Sequence, residues 1–192
     1  MVRKTHETFE LFQTNAYATI LKGIDNKKIS KYVNKIKPQE HRIYASNIGG
    51  WHSHYFYYPF PACVLDLNKK IEAFVRKTIR KDMECLGDTP IHNSWFISNK
   101  KCDFNKPHKH PPYTFAAVYY VKAPEDSGRI IFNNQMEMNN YNMVYANFNK
   151  YNSKDFNIVP TENMLIVFPS WLEHYTTPNR TNSERLIYSV NI

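Results

Sequence analysis

Residues Pro107–Val121 read PHKHPPYTFAAVYYV. Two histidines flank one lysine, two prolines follow, and the chain then runs into aromatic and β-branched residues that favour a pleated strand. Side chains alternate along a strand, so a strand reaching back through the histidines sets His108, His110, Pro112, Thr114, Ala116, Val118 and Tyr120 on one face. That face has small residues beside the imidazoles and a phenol at its far end. Either the imidazoles pack as ordinary aromatic rings, or they share a metal ion.

Similar short runs surround this one. HNSWFIS, GRIIFNN, ENMLIVF and ERLIYSVNI alternate with turns after Pro90, without the strand–helix rhythm of a parallel sheet. They fit antiparallel strands in a sandwich or jelly roll with helices packed on one face, a mainly β architecture. Two such helices precede them. Ile29, Tyr32, Val33 and Ile36 recur at helical spacing, with Asp25 as N-cap and Pro38 as the stop. Leu67, Ile71, Phe74, Val75, Ile79, Met83 and Leu86 predict one longer stripe, closed by Gly87 in the left-handed conformation. FELFQTNAYATILK, residues 9–22, reads as an opening strand, and the paired glycines of SNIGGWHS permit a turn.

The 192 residues suit a single domain, 1–192, with 42% hydrophobic and 15% aromatic residues to fill its core. No apolar run has the length of a membrane span, and no signal-peptide core follows the first ten residues. Cys63, Cys85 and Cys102 lack CxxC spacing, which suits a reduced, cytoplasmic protein and rules out a thiolate-rich metal site. The formal charge of +8 concentrates in KKISKYVNKIK and NKKIEAFVRKTIRK. On amphipathic helices such charge is ordinarily a solvated face, and no nucleic-acid-binding motif accompanies it.

Of eight histidines, His6, His41 and His92 stand alone. His52 and His54 have the same i, i+2 spacing as His108 and His110 but no third ligand close by. With Trp51 they are ordinary packing residues or the rim of a pocket. The polar segment 135–157 is long for a loop, and its Tyr141, Tyr145 and Tyr151 are further rim candidates. MLIVFPSWLEHY carries His174 just past a proline-containing bend. Arg185 follows the expected hairpin TTPNRTNS and opens the apolar run ERLIYSVNI. Facing inward, its guanidinium demands an anion, either an internal carboxylate or a ligand.

The ordered set HxHP, YYV, SGRIIF, FPSWLEH and a following Arg resembles the Fe(II)/2-oxoglutarate-dependent oxygenases, in particular a small group found in bacteria and their phages. The resemblance runs through SNIGGWHS, WFISNKKCDFNKPHKHP, AVYYVKAPEDSGRIIF and IVPTENMLIVFPSWLEHYTTP to ERLIYSVNI. It implies a double-stranded β-helix (jelly roll) spanning 91–192, with 1–90 as strand and helix support. It implies Fe(II) on His108, His110 and His174, and 2-oxoglutarate held at its remote carboxylate by Arg185 and Tyr120. The chemistry implied is a dioxygenase reaction with O2 that releases succinate and CO2 and hydroxylates a substrate. Peptide, small molecule or nucleic-acid-linked group all suit such a site, in the cytoplasm of a bacterium or a phage-infected cell.

Three positions depart from the family pattern. His110 stands where most members have a carboxylate, so three neutral imidazoles leave Fe(II) at +2 rather than +1. Glu173 is no substitute, since its adjacency to His174 on an extended chain turns it away. Asn163 replaces a frequent turn glycine, and Ile97 replaces a frequent asparagine. Two rivals share the constellation: a three-histidine, cupin-like dioxygenase independent of 2-oxoglutarate, and a non-enzymatic jelly-roll binding module.

Overall fold

The computed structural model describes residues 9, 12–135, 144–150 and 152–192. Its largest sheet has six antiparallel strands in the order β1 (Tyr17–Ile20), β9 (Met164–Pro169), β6 (Phe115–Lys122), β11 (Arg185–Asn191), β4 (Asn93–Asn99) and β3 (Trp51–His52). A smaller sheet runs β10 (His174–Thr176), β7 (Ile130–Asn133) and β8 (Asp155–Ile158), and β2 (Asn47–Ile48) pairs with β5 (Phe104–Asn105). Every pairing is antiparallel, the arrangement of the expected jelly roll.

The central strands are buried on both sides, and alternation divides their residues between two cores. Phe115, Ala117, Tyr119 and Val121 of β6, with Leu186, Tyr188 and Val190 of β11, pack beneath Ile29 and Val33 of α1 (Asn26–Ile36) and Leu67 and Ile71 of α2 (Leu65–Phe74). Ala116, Val118, Tyr120 and Ile187 face the other way, toward Ile130 and Phe132 of the smaller sheet. The site lies in this second layer.

Asp25 caps α1, its carboxylate accepting the Lys28 N–H at 2.9 Å. Lys37, just past the helix, and Lys122 on β6 both donate to Glu184, at 3.0 and 3.1 Å, clamping α1 to the sheet. Asn163 adopts φ +68°, as the turn requires, and its amide oxygen accepts from Tyr119 at 2.9 Å. Gly49 and Gly50 make the expected turn at φ +68° and +56°.

Five local expectations are corrected. The opening strand contracts to Tyr17–Ile20. The second helix gives way at Val75–Ile79 to a π-helical turn and finishes as α3 (Arg80–Asp82). The wider turn ends the apolar stripe, so Ile79 is the last buried member, while Met83 and Leu86 are exposed. Glu84, at φ +50°, takes the left-handed position assigned to Gly87. The strand does not extend back through the histidines: β6 begins at Phe115, although Ala116, Val118 and Tyr120 still share the inner face. Finally, TTPNRTNS is no hairpin, because it crosses from β10 in the smaller sheet to β11 in the larger one.

Candidate active site

His108 and His110 reach the site through backbone pairing outside any continuous strand. The segment that carries them lies antiparallel to the one that carries His174. His108 N–H donates to His174 O at 3.0 Å, His174 N–H returns the bond to His108 O at 3.1 Å, and His110 N–H donates to Ser170 O at 2.8 Å. The register of two chain segments thus brings the three imidazoles together.

The rings meet closely. Centroids lie 4.3 Å apart for His108–His174, 5.0 Å for His108–His110 and 5.1 Å for His110–His174. One nitrogen of each ring lies within 4.8 Å of the others, and the Nε2 atoms of His110 and His174 are 3.3 Å apart. His108 Nδ1 lies 2.8 Å from Lys106 O, and His174 Nδ1 lies 3.0 Å from Leu172 O. A carbonyl only accepts, so both Nδ1 atoms carry the proton and each Nε2 keeps a lone pair, that of His108 lying 3.4 Å from the Ser46 hydroxyl. Burial lowers the basicity of all three rings: His108 falls below its ordinary value, His110 to about 3 and His174 far below. The imidazoles are therefore neutral near pH 7, as metal ligands must be. Glu173 points away, accepting from Asn133 Nδ2 at 2.7 Å.

Arg185 is 1% exposed. Its Nη1 donates to Ser127 O at 2.6 Å and Thr177 O at 3.3 Å, and its Nη2 to Thr176 Oγ1 at 3.1 Å and Asn99 Oδ1 at 3.3 Å. All four acceptors are neutral, and Nε has no hydrogen-bond partner among the described residues. Among the described residues no carboxylate forms an ion pair with it. A buried cation satisfied only by neutral groups is costly, and an incoming carboxylate offsets that cost. Tyr120 is buried nearby: burial raises its phenol to about 12 against the opposing pull of Arg185, so it remains a neutral hydroxyl.

Beside these groups lies a cavity of about 200 Å³, lined by the three histidines and by Tyr120, Thr176, Asn105, Ile97, Ile130 and Ile187; Arg185 joins that wall through Thr176 Oγ1, which accepts from its Nη2 at 3.1 Å. Ile97, where the family often has asparagine, is part of this apolar wall. His52 also lines the cavity, stacked on Trp95 at 5.8 Å and 6°, and Trp95 stacks on His110 at 5.6 Å. Tyr55 meets both His52 and Trp95 edge-on.

The other rim candidates lie elsewhere. Trp51 is buried in the helix-side core, because β3 turns successive residues to opposite faces. His54 is exposed and outside the cavity lining, and Tyr145 packs on Phe148 at 6.5 Å. Tyr141 and Tyr151 lie outside the described residues. Trp95, Tyr55, Thr176 and Asn105 escaped the sequence reading. The alternation of NSWFISN offered a signal for Trp95, since residues 95, 97 and 99 share the inner face.

The family described as "Putative 2OG-Fe(II) oxygenase" matches residues 93–191. No curated protein matches the chain. Among solved structures, a Pseudomonas putida prolyl-4-hydroxylase is similar at TM-score 0.64 and 14% identity, over 93% of this chain and 92% of its own. The viral collagen prolyl hydroxylase of Paramecium Bursaria Chlorella virus-1, solved with 2-oxoglutarate, gives 0.54 and 14% over 91% and 94%. HygX from Streptomyces hygroscopicus, with nickel and 2-oxoglutarate bound, gives 0.56 and 10% over 93% and 82%. At these identities the likeness is one of fold.

Proposed function

The chain belongs to the 2OG-Fe(II) oxygenase family, whose cofactors are Fe(II) and 2-oxoglutarate, and on that premise we propose that it is a dioxygenase hydroxylating a substrate held beside His52 and Tyr55. In this reading residues 1–192 act as one domain. His108, His110 and His174 hold the iron, while Arg185 and Tyr120 hold the remote carboxylate of 2-oxoglutarate.

The observation that carries the proposal is the pairing of two unmet demands at one cavity: three neutral imidazoles converge on its wall, and a buried guanidinium without a paired carboxylate lies against Thr176 and Tyr120, which also line it. Nitrogens bound about 2.1 Å from one ion, at right angles, lie about 3 Å apart, and the 3.3 Å between His110 and His174 is close to that. When bound, Fe(II) and 2-oxoglutarate supply the activation of O2 that oxidises the substrate, with release of succinate and CO2.

The chain's own work is orientation and exclusion. Lys106 O and Leu172 O hold the Nδ1 protons of His108 and His174, so their lone pairs point at one place. Arg185 offers a carboxylate its charge and the N–H at Nε, and the Tyr120 hydroxyl can donate beside it. Ile97, Ile130 and Ile187 keep water from the anion's stem, which strengthens those contacts. His52, with Nδ1 2.6 Å from Ser53 O, donates there and keeps Nε2 as an acceptor for substrate.

Gly128 supports Arg185 directly. It sits at φ +98°, and a Cβ there would lie 2.4 Å from both Arg185 Nη1 and Thr177 O. Gly128→Ala should therefore displace the guanidinium and weaken 2-oxoglutarate binding by roughly tenfold or more, a loss of about 1.4 kcal/mol. Calorimetric titration of 2-oxoglutarate into the metal-loaded protein measures this, with Fe(II) affinity expected to stay within about threefold.

The test of the function itself is anaerobic titration of the apo-protein with Fe(II), with and without 2-oxoglutarate. A visible charge-transfer band requiring both additions is expected, followed by succinate release on exposure to O2. Tight Fe(II) binding with no such band would instead identify the cupin-like reaction. Binding of neither would leave a non-enzymatic module.

A further inference from the structure

The three imidazoles are not held in the same way. His108 and His174 each donate Nδ1–H to a backbone carbonyl two residues back in the chain. No substitution removes those acceptors. Among the described residues His110 has no such carbonyl: its Nε2 faces His174, and its ring stacks on Trp95 of β4, on the face of the sheet where Asn191 of β11 stands opposite Asn93.

Asn191 is 5% exposed, and its amide oxygen is buried with no hydrogen-bond partner among the described residues. The orientation of that amide is fixed by its neighbours. Asn191 Nδ2 donates to Asn93 Oδ1 at 2.9 Å, across the β11–β4 pairing that sets the two residues opposite each other. Asn93 Nδ2 in turn donates to the Tyr113 hydroxyl at 2.7 Å. With each nitrogen so engaged, the Asn191 oxygen is the atom left for His110.

We propose that Asn191, aligned by Asn93 and Tyr113, is the positioning residue for His110, holding its Nδ1 proton so that Nε2 is presented to the metal. This rests on the three-imidazole reading of the site. The amide suits the task because it orients the ring without adding charge, leaving the three neutral donors as they are. A carboxylate there would make the same contact and make His110 a stronger donor.

The test is Co(II) titration of the full-length apo-protein, with affinity from chelator competition and ligand geometry from the visible d–d absorption. Asn191→Leu, similar in volume, should weaken Co(II) binding by about 10- to 100-fold and alter the d–d spectrum. Asn191→Asp should bind at least as tightly as the parent. In a His110→Ala background, Asn191→Leu should change the affinity by less than about threefold, since the ring it positions is gone. Should the leucine protein not fold, Asn191→Ser, which withdraws the oxygen from the ring, carries the same expectations.

Undiminished Co(II) affinity in Asn191→Leu, while His110→Ala still lowers it, would overturn the inference alone. So would a loss that persists undiminished in the His110→Ala background. If His110→Ala leaves both affinity and spectrum unchanged, the three-imidazole reading fails and this inference fails with it.

Discussion

His174→Ala should abolish the charge-transfer band of the Fe(II)–2-oxoglutarate complex and reduce succinate release to background. Of the three imidazoles His174 is the most buried, at 4% exposure, and its Nε2 lies 3.3 Å from that of His110. Changes in the groups that merely support a metal ligand cost about 10- to 100-fold in affinity, so losing the ligand itself should cost more than about 100-fold. The ring also packs on Phe168 at 4.5 Å, and truncation should destabilise the metal-free fold by about 2–4 kcal/mol. That loss is tolerable for a domain with about 5–15 kcal/mol of stability. The measurements are a metal-free thermal melt, which should remain cooperative, and the anaerobic spectrum, which should stay colourless. A persisting band would remove His174 from the ligand set.

Arg185→Met separates cofactor binding from folding. In the metal-free protein the substitution removes four hydrogen bonds to neutral acceptors, and with them a buried charge that makes no ion pair among the described residues. These effects oppose one another, because apolar replacement of buried charge is often neutral or stabilising. The melting temperature of the apo-protein should therefore move little. Binding of 2-oxoglutarate should suffer far more: losing one partner of a buried charge pair costs about 2–5 kcal/mol, or about 30- to 5,000-fold in affinity. At about one hundred times the dissociation constant a ligand stabilises its protein by about 2.7 kcal/mol. The parent's melting temperature should rise accordingly with 2-oxoglutarate in the presence of Mn(II), and that of the Arg185→Met variant should not. Retention of that rise would mean the carboxylate is held elsewhere.

Much of this was legible in the chain because it depends on local pattern. Runs such as FAAVYYVK and RLIYSVN are long, β-prone and bounded by turns, so the strands could be read directly, and the position of Arg185 at the head of one raised the question of its orientation. The order of the histidines marked the site. What stayed hidden depends on pairing between distant segments. The face of His108 and His110 is set by backbone bonds to residues 170 and 174, not by a strand of their own. Trp51 and His52 look equivalent in GGWHSH, yet pairing of β3 with β4 sends one to the helix-side core and the other to the cavity. The break in the second helix is hidden as well, because a π-helical turn still brings Ile71, Val75 and Ile79 to one side. Asn191 closes β11 as an unremarked polar residue, and only the register sets it opposite Asn93.

The alternation along the central strands gives the molecule a division of labour that laboratory evolution could exploit. On β6 and β11, residues 119, 121, 186 and 188 hold the helices in place, while 116, 118, 187 and 189 line the cavity. A combinatorial library confined to the second set would reshape the chamber for a new guest and leave the helix-bearing core untouched. The scaffold and the chemistry share the same strands yet can be varied independently.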